Sequence, residues 1–505
     1  MDDPVPIVKE LRGLYPEDSL PVQQNRFSTL LLKFQHEYRE NATFVARSPG
    51  RVNLIGEHFD YSLYEVLPMA TAADVLIAVS TTPTHEHTAQ VAIANVNAEK
   101  FHPSSFRISE SGDVDIDASA LDWTNYFKSG LRGAMTLLER RGSSKPAQNM
   151  NILVDGTVPA GGGLSSSAAF VCASALAVLR AHHHTNVIKK ELVELAIVSE
   201  RAVGVNSGGM DQAASVFAIQ GEAVSVRFAP NLHAEPIKFP NIEPPMTFMI
   251  AQSFVAADKH LTAPKHYNLR VVECTLAAEC LAARVGVSMT DDASPLGHSL
   301  RGFQAKYFEQ KAGENLTEEA ELELLLSELN DHLGNVEGYT REDVASVLSV
   351  EVSELEDRFL TKFEVQAERF LLQQRAKHVF SEALRVIAFK KLLTAPPKDS
   401  LSLLSKLGSL MNETQTSCRE VYECSCPELD ELCIIAREAG SYGSRLTGAG
   451  WGGCTVHLVP KDKVESIKVA WQREYYLPKD PKMNLSRMAE TAAVVVSEPG
   501  SGSAM

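Results

Sequence analysis

The sequence predicts a mixed α+β chain of two domains, on three observations. Short runs rich in β-branched residues alternate with stretches of helical period. The 505 residues exceed what one ordinary core holds. A proline-bearing stretch at 231–245, NLHAEPIKFPNIEPP, follows the strand candidate AVSVRF and marks a boundary near residue 235. The expected organisation is a tail over 1–24, an N-terminal domain over 25–235 and a C-terminal domain over 236–505, the last holding a helical insertion at about 290–375.

In the N-terminal domain, FVARSPGRVNLIGEHFDY (44–61) reads as short β-rich runs broken by a Pro-Gly turn. VLIAVSTT (75–82) and VAIANV (91–96) read as strands, and DWTNYFKSGLRGAMTLLERRG (122–142) as a helix. MNILVDG (150–156) is a strand, the glycine–serine run after it a loop, and SSAAFVCASALAVLRAH (166–182) a helix, followed by another at KKELVELAIVSERAVG (189–204). Beyond the boundary, MTFMIAQS (246–253) is a strand. It leads into a mostly helical, charged region over 265–440, including LTEEAELELLLSELNDHL, read as scaffold without chemistry of its own. The chain continues with GSRLTGAGWGGCTVHLVP (443–460), a helix near KVESIKVAWQREYY, the strand AAVVVS and a Gly/Ser tail.

Lysine and arginine number 48 against 64 acidic residues, a net charge of −16, and no dense basic run interrupts that background. Nucleic acid and acidic membrane surfaces are therefore excluded as partners. MDDPVPIVKE lacks a basic and then apolar leader and no run of 18 apolar residues occurs, so a cytoplasmic protein is expected. Eight cysteines are too sparse for a disulfide framework. Cys418, Cys424, Cys426 and Cys433 cluster without the CxxC pairs of a zinc site, so reduced thiols are expected. The His182–His184 triplet reads as a solvated helix end.

Four stretches carry the chemistry. VPAGGGLSSSAAF (158–170) joins a strand to a helix through Gly161, Gly162 and Gly163, then Leu164, Ser165, Ser166, Ser167 and Ala168. Such a loop aims free backbone N–H groups and the positive helix end at its guest, for which phosphate is the expectation. It matches neither G-x-x-x-x-G-K-[ST] nor G-x-G-x-x-G, and a purely structural turn stays open. SPGRVNLIGEHFDY (48–61) concentrates Arg51, Glu57, His58 and Asp60 in a segment apolar enough to be buried, as a functional cluster or an internal ion-pair network. VGVNSGGMDQAASVFA (203–218) puts Asp211 after Gly208 and Gly209 at a helix start, where a plain capping role is the alternative. Glu200, in the preceding helical run, has a solvated surface acid as its alternative. GSRLTGAGWGGC (443–454) sets five glycines around one tryptophan, which tight-turn and bulge geometry alone would also explain.

Together PGRVNLIGEH, PAGGGLSSSAA and GSRLTGAGWGGC, in this order, resemble the three motifs of the GHMP kinases, and GRVNLIGEHFDY is similar to the galactokinase hallmark within that family. The resemblance runs from about residue 44 onward and takes in YNLRVVEC, QRAKHVFSEALRV and SCREVYECSCPELD, with Phe59 standing where isoleucine is usual. It implies a two-domain GHMP kinase fold with the active site in the cleft between domains. The implied activity is ATP-dependent phosphorylation of the galactose C1 hydroxyl, with Mg²⁺. The alternatives are an N-acetylgalactosamine kinase and a galactose- and ATP-dependent sensor with a repressor protein as partner; oligomeric state is left open. By the same resemblance Asp211 and Arg51 are the catalytic pair, and Arg51, Glu57, His58, Asp60, Gly208, Asp211 and Tyr267 bind the sugar. Residues 161–168 hold the ATP phosphates, Trp123 lies near the adenine, and Ser167 and Glu200 contact Mg²⁺. Phosphoryl transfer needs positioning and charge neutralisation more than covalent help, and these residue types supply both.

Overall fold

The computed structural model describes residues 3–84, 88–109, 113–117, 122–142, 148–159, 163–201, 208–255, 262–311, 316–362 and 364–505. Helix α1 (Leu20–Tyr38) precedes a five-stranded sheet of β1 (Phe44–Ile55), β2 (Leu67–Pro83), β3 (Ala89–Asn95), β4 (Ser104–Ile108) and β5 (Gln148–Gly156). The strand order is β1-β2-β5-β3-β4, and every pair is antiparallel except β3 with β5. Both faces are covered, and the period of two in β2 assigns them. Val75, Ile77 and Val79 enter the main core, which also receives α2 (Thr124–Arg140) and α3 (Ser166–Ala181), while Leu76 and Ala78 pack with Leu30 and Phe34 of α1. Helix α3 carries hardly a polar side chain and is buried almost along its whole length, so it sits in the centre rather than on the surface. Then come α4 (Lys189–Arg201), α5 (Met210–Phe217) and a hairpin of β6 (Glu222–Arg227) with β7 (His233–Lys238).

The second sheet begins with β8 (Met246–Gln252). Helices α6 (Tyr267–Val285), α7 (Leu300–Gln310), α8 (Glu318–His332), α9 (Arg341–Leu348), α10 (Val352–Phe359), α11 (Leu372–Thr394), α12 (Ser400–Glu420) and α13 (Pro427–Glu438) follow. Their starts are set locally: Ser299, Thr317, Thr340 and Asp399 cap α7, α8, α9 and α12, the third as a reciprocal capping box with Asp343. Strands β9 (Gly443–Thr447), β10 (Cys454–Pro460) and β11 (Val494–Ser497) complete the antiparallel order β11-β8-β10-β9.

Three expectations need correction. The Pro-Gly pair does not break the β-rich segment: β1 runs through it, with register shifts between Pro49 and Arg51 and between Asn53 and Ile55. Its partner β2 follows the whole length, so the irregularity is a bulge within a buried strand rather than a turn. Neither expected tail is loose. Val5, Leu14 and Tyr15 are buried, and the Gly/Ser run 500–505 crosses back to the first sheet, with Gly500 N–H bonding Ala70 O and Ala504 pairing with Arg47. His182 is buried, with Nδ1 2.9 Å from Val178 O, rather than solvated.

The charges under that crossing explain why it stays in place. Arg47 Nη1 donates to Ser501 O and Gly502 O at 3.1 and 2.9 Å, and its Nε to Asp74 at 2.5 Å. Asp74 also accepts from Arg26 and the Tyr15 hydroxyl, both at 2.5 Å. Burial opposes the Asp74 charge, yet Arg47 and Arg26 hold its pKa below the ordinary aspartate range. Asp74→Asn, which leaves Arg47 buried without its carboxylate, should lower unfolding stability by about 3–5 kcal/mol in denaturant titrations. Because the folded pKa is depressed, that stabilisation is complete above the unfolded value of about 4 and fades as pH falls through the lower folded value. The gap between wild type and variant should therefore shrink below about pH 4.

Candidate active site

Three sequence-distant segments meet at Arg51. From the second half of β1 its guanidinium donates through Nε to Asp211 Oδ1 at 2.7 Å and through Nη1 to Gly163 O at 2.8 Å, while its backbone N–H bonds Leu164 O at 3.1 Å. Asp211 stands in the first turn of α5, after Gly209 at φ +112°, and its second oxygen accepts from the Ser165 hydroxyl. Arg51 is 4% exposed. Burial works against its charge, but Asp211, Glu57 and Asp60 outweigh it, so the guanidinium stays ionised.

The glycine–serine loop ends at Ser165, in the left-handed region at φ +58°, where α3 begins. Its hydroxyl is turned to Asp211 instead of capping the helix. The first intrahelical bond runs from Ala169 N–H to Ser165 O, so the N–H groups of 166–168 precede the helix ladder at its positive end. Gly163 and these residues form the turn into α3; Gly161 and Gly162 lie outside the described residues. The third motif packs on this loop, and Gly448 at φ +89° faces Gly163 so closely that a Cβ there would lie 2.6 Å from Gly163 O. Gly448 thus serves close backbone approach to the second motif, while Gly443, Gly450 and Gly452 approach Gly408, Cys424 and Val255 as closely.

Around the first motif the structure is more specific than the sequence. Glu57 is buried and its Oε2 accepts from Arg445 Nη2 and, at 3.2 Å, from Gly448 N–H. His58 is buried too, with Nε2 donating to Ala449 O at 2.8 Å and Nδ1 3.1 Å from the Tyr61 hydroxyl, which lies 2.5 Å from that of Tyr422. Both His58 ring nitrogens are therefore engaged within the protein. Asp60 faces Gly208 so closely that a Cβ on that glycine would fall 2.6 Å from Asp60 Oδ2, and burial and then Asp211 push the Asp60 pKa up. Tyr267 opens α6 with its ring 5.5 Å from that of His58; burial, then Asp60 and Asp211, keep its phenol protonated. Phe59, fully buried, stacks on Tyr64 at 5.8 Å and fills the space under the Gly56 turn.

Glu200 is not a surface acid: it is 1% exposed and accepts from the Gln212 amide, next to Asp211 on α5. Trp123 stacks on Phe170 of α3 at 6.0 Å, one turn beyond the loop, and its indole N–H bonds His102 O. Arg445 was missed in sequence because the third motif was read for its glycines. The reasoning used on the first motif, that a charge in a stretch apolar enough to be buried needs a partner, would have found it. The region 265–440, read as scaffold, also supplies Tyr422 and the buried carboxylate of Glu382.

With this geometry in view, the comparisons agree with one another. A galactokinase galactose-binding signature matches residues 32–81, and the GHMP kinase N-terminal and C-terminal domains match 125–218 and 398–477. Galactokinase of Saccharomyces cerevisiae is 41% identical over 99% of this chain and 98% of its own length. Galactokinases of Schizosaccharomyces pombe and Dictyostelium discoideum are each 38% identical, over 95% and 93% of this chain. The crystal structure of Lactococcus lactis galactokinase complexed with galactose shares the fold, at a TM-score of 0.62 and 24% identity over 95% of this chain and 99% of that one. Fold and motifs together define a GHMP kinase. Within that family, the chain belongs to the galactokinases.

Removing one member of the buried Glu57–Arg445 pair exposes its energetics. Arg445→Met should lower stability by about 3–5 kcal/mol, since Glu57 is left buried without its cation. The double variant Glu57→Gln/Arg445→Met should lose less than the single one in the same denaturant titration.

Proposed function

We propose that the chain transfers the γ-phosphoryl group of ATP to the C1 hydroxyl of galactose. The observation that carries this reading is the convergence on Arg51: one guanidinium joins the Asp211 carboxylate to the Gly163 end of the phosphate loop. In the proposed step the sugar oxygen forms a bond to the γ-phosphorus, the bond from that phosphorus to the bridging oxygen of ADP breaks, and the hydroxyl proton passes to Asp211. Arg51 lies where it orients that carboxylate and meets the charge developing on the phosphoryl group. The N–H groups of 166–168 receive phosphate oxygens, and Trp123 borders the nucleotide.

The sugar face is rich in hydrogen-bond acceptors. Asp60, Asp211 and Glu57 suit a ligand that presents hydroxyl donors, and Tyr267 closes the same space. Ser167 and Glu200 would hold Mg²⁺, a hydroxyl and a buried carboxylate being the hard oxygen donors that suit this ion. When bound, it neutralises phosphate charge. Among the described residues no helix is long and apolar enough to cross a membrane.

ADP release by the purified protein with Mg·ATP tests the reading, with galactose, N-acetylgalactosamine, glucose and mevalonate run in parallel. Turnover on galactose is expected. Preference for the N-acetylated sugar, or binding of galactose and ATP without turnover, would replace the reading by a kinase of that sugar or by a sensor. Asp211→Asn should reduce kcat by about 10²–10⁴-fold while galactose still binds by calorimetry; near-wild-type turnover would remove Asp211 from its role. Glu200→Gln should shift the Mg²⁺ titration of activity to higher concentration, and an unchanged titration would take Glu200 out of the metal site.

A further inference from the structure

The first motif's turn is held by a helix more than 300 residues further along the chain. On α11, His378 and Glu382 stand one turn apart on the same face, and neither has measurable exposure. Glu382 Oε1 accepts from the backbone N–H groups of Gly56 and Glu57 at 2.9 and 3.1 Å, and its Oε2 from Arg385 Nε and Thr414 Oγ1, both at 2.8 Å. His378 Nε2 donates to the Glu57 carbonyl at 2.9 Å, and its Nδ1 accepts from the Ser417 hydroxyl at 2.8 Å. The main chain of residue 57 is thus gripped on both sides, N–H by a carboxylate and C=O by an imidazole.

Both groups hold the protonation state that this grip requires. Burial keeps the His378 imidazole neutral, with a pKa near 3. Burial opposes the charge of Glu382, but Arg385 and its neighbours hold that pKa down at about 2. A buried ionised carboxylate is an ineffective way to add stability, since apolar packing does as well or better. What it adds here is direction, because two successive N–H groups aimed at one oxygen fix the plane of the turn.

We propose that Glu382 and His378 are positioning residues for the sugar: they fix the turn from which Glu57, His58 and Asp60 project, and so set galactose affinity without touching the transferring phosphoryl group. This rests on the galactokinase reading. Steady-state kinetics on Glu382→Gln, His378→Leu and His378→Gln test it. Glu382→Gln should raise the KM for galactose about tenfold, the scale of a hydrogen bond to a charged group, and His378→Leu about fivefold, the scale of a neutral one. Their kcat and KM for ATP should stay within about twofold of wild type. His378→Gln retains a donor for the Glu57 carbonyl and should lie closer to wild type than His378→Leu. A folded Glu382→Gln protein with unchanged galactose KM, or with reduced kcat at constant KM, overturns the proposal. If that variant fails to fold, the two His378 variants decide by the same criterion. Wild-type protein that turns over no galactose overturns the underlying reading instead, and that control separates the two failures.

Discussion

The site depends on one buried guanidinium. Arg51 touches a loop oxygen and a helix carboxylate, and its own backbone continues the first sheet, so three segments reach one place only if that side chain is charged and correctly aimed. At 4% exposure such a charge persists only with partners, and Asp211 with the Gly163 carbonyl are those partners. Assembly of the site and satisfaction of the buried arginine are therefore the same event. The protein cannot relax Asp211 away from this loop without costing the guanidinium its hydrogen-bonded carboxylate.

A second layer of constraint comes from the C-terminal half. The turn after β1 is held through its side chain by Arg445 and Gly448, and through its main chain by α11. The third motif also packs Gly448 against Gly163, so the elements that support the sugar-facing turn also press on the phosphate loop. The geometry of the turn is thereby tied to that of the loop through short links. Displacing the third motif would disturb both.

Much of this was legible in sequence, and the rest was not for physical reasons. Helix α3 and strands β5 and β8 carry their signals locally, as mostly apolar runs flanked by glycine or polar residues, and they stand close to where the sequence pattern put them. The pairing of Arg51 with Asp211 was reachable only through the family resemblance, because nothing local says which of several acids a buried arginine will meet. Partners 388 positions apart, as Glu57 and Arg445 are, leave no mark on hydrophobic period or turn chemistry. The Pro-Gly pair in β1 misled for a related reason: its turn propensity is local, whereas the pairing with β2 that overrides it is not. The Gly/Ser run at 500–505 looks solvated by composition, yet its carbonyls are what Arg47 uses.

The distribution of charge also bears on why a neutral sugar can be held so close to a polyanion. Around the proposed sugar space stand Glu57, Asp60 and Asp211, but Arg445 neutralises the first and Arg51 the third. Asp60 is left between them with its proton affinity raised by burial and by Asp211. The carboxylate oxygens are thus gathered on the side that, on the proposed reading, meets hydroxyl donors. The loop side presents helix N–H groups and the inner edge of the Arg51 guanidinium. On the proposed reading hydroxyls and phosphates are sorted by opposite polarity, with Arg51 on the border between them.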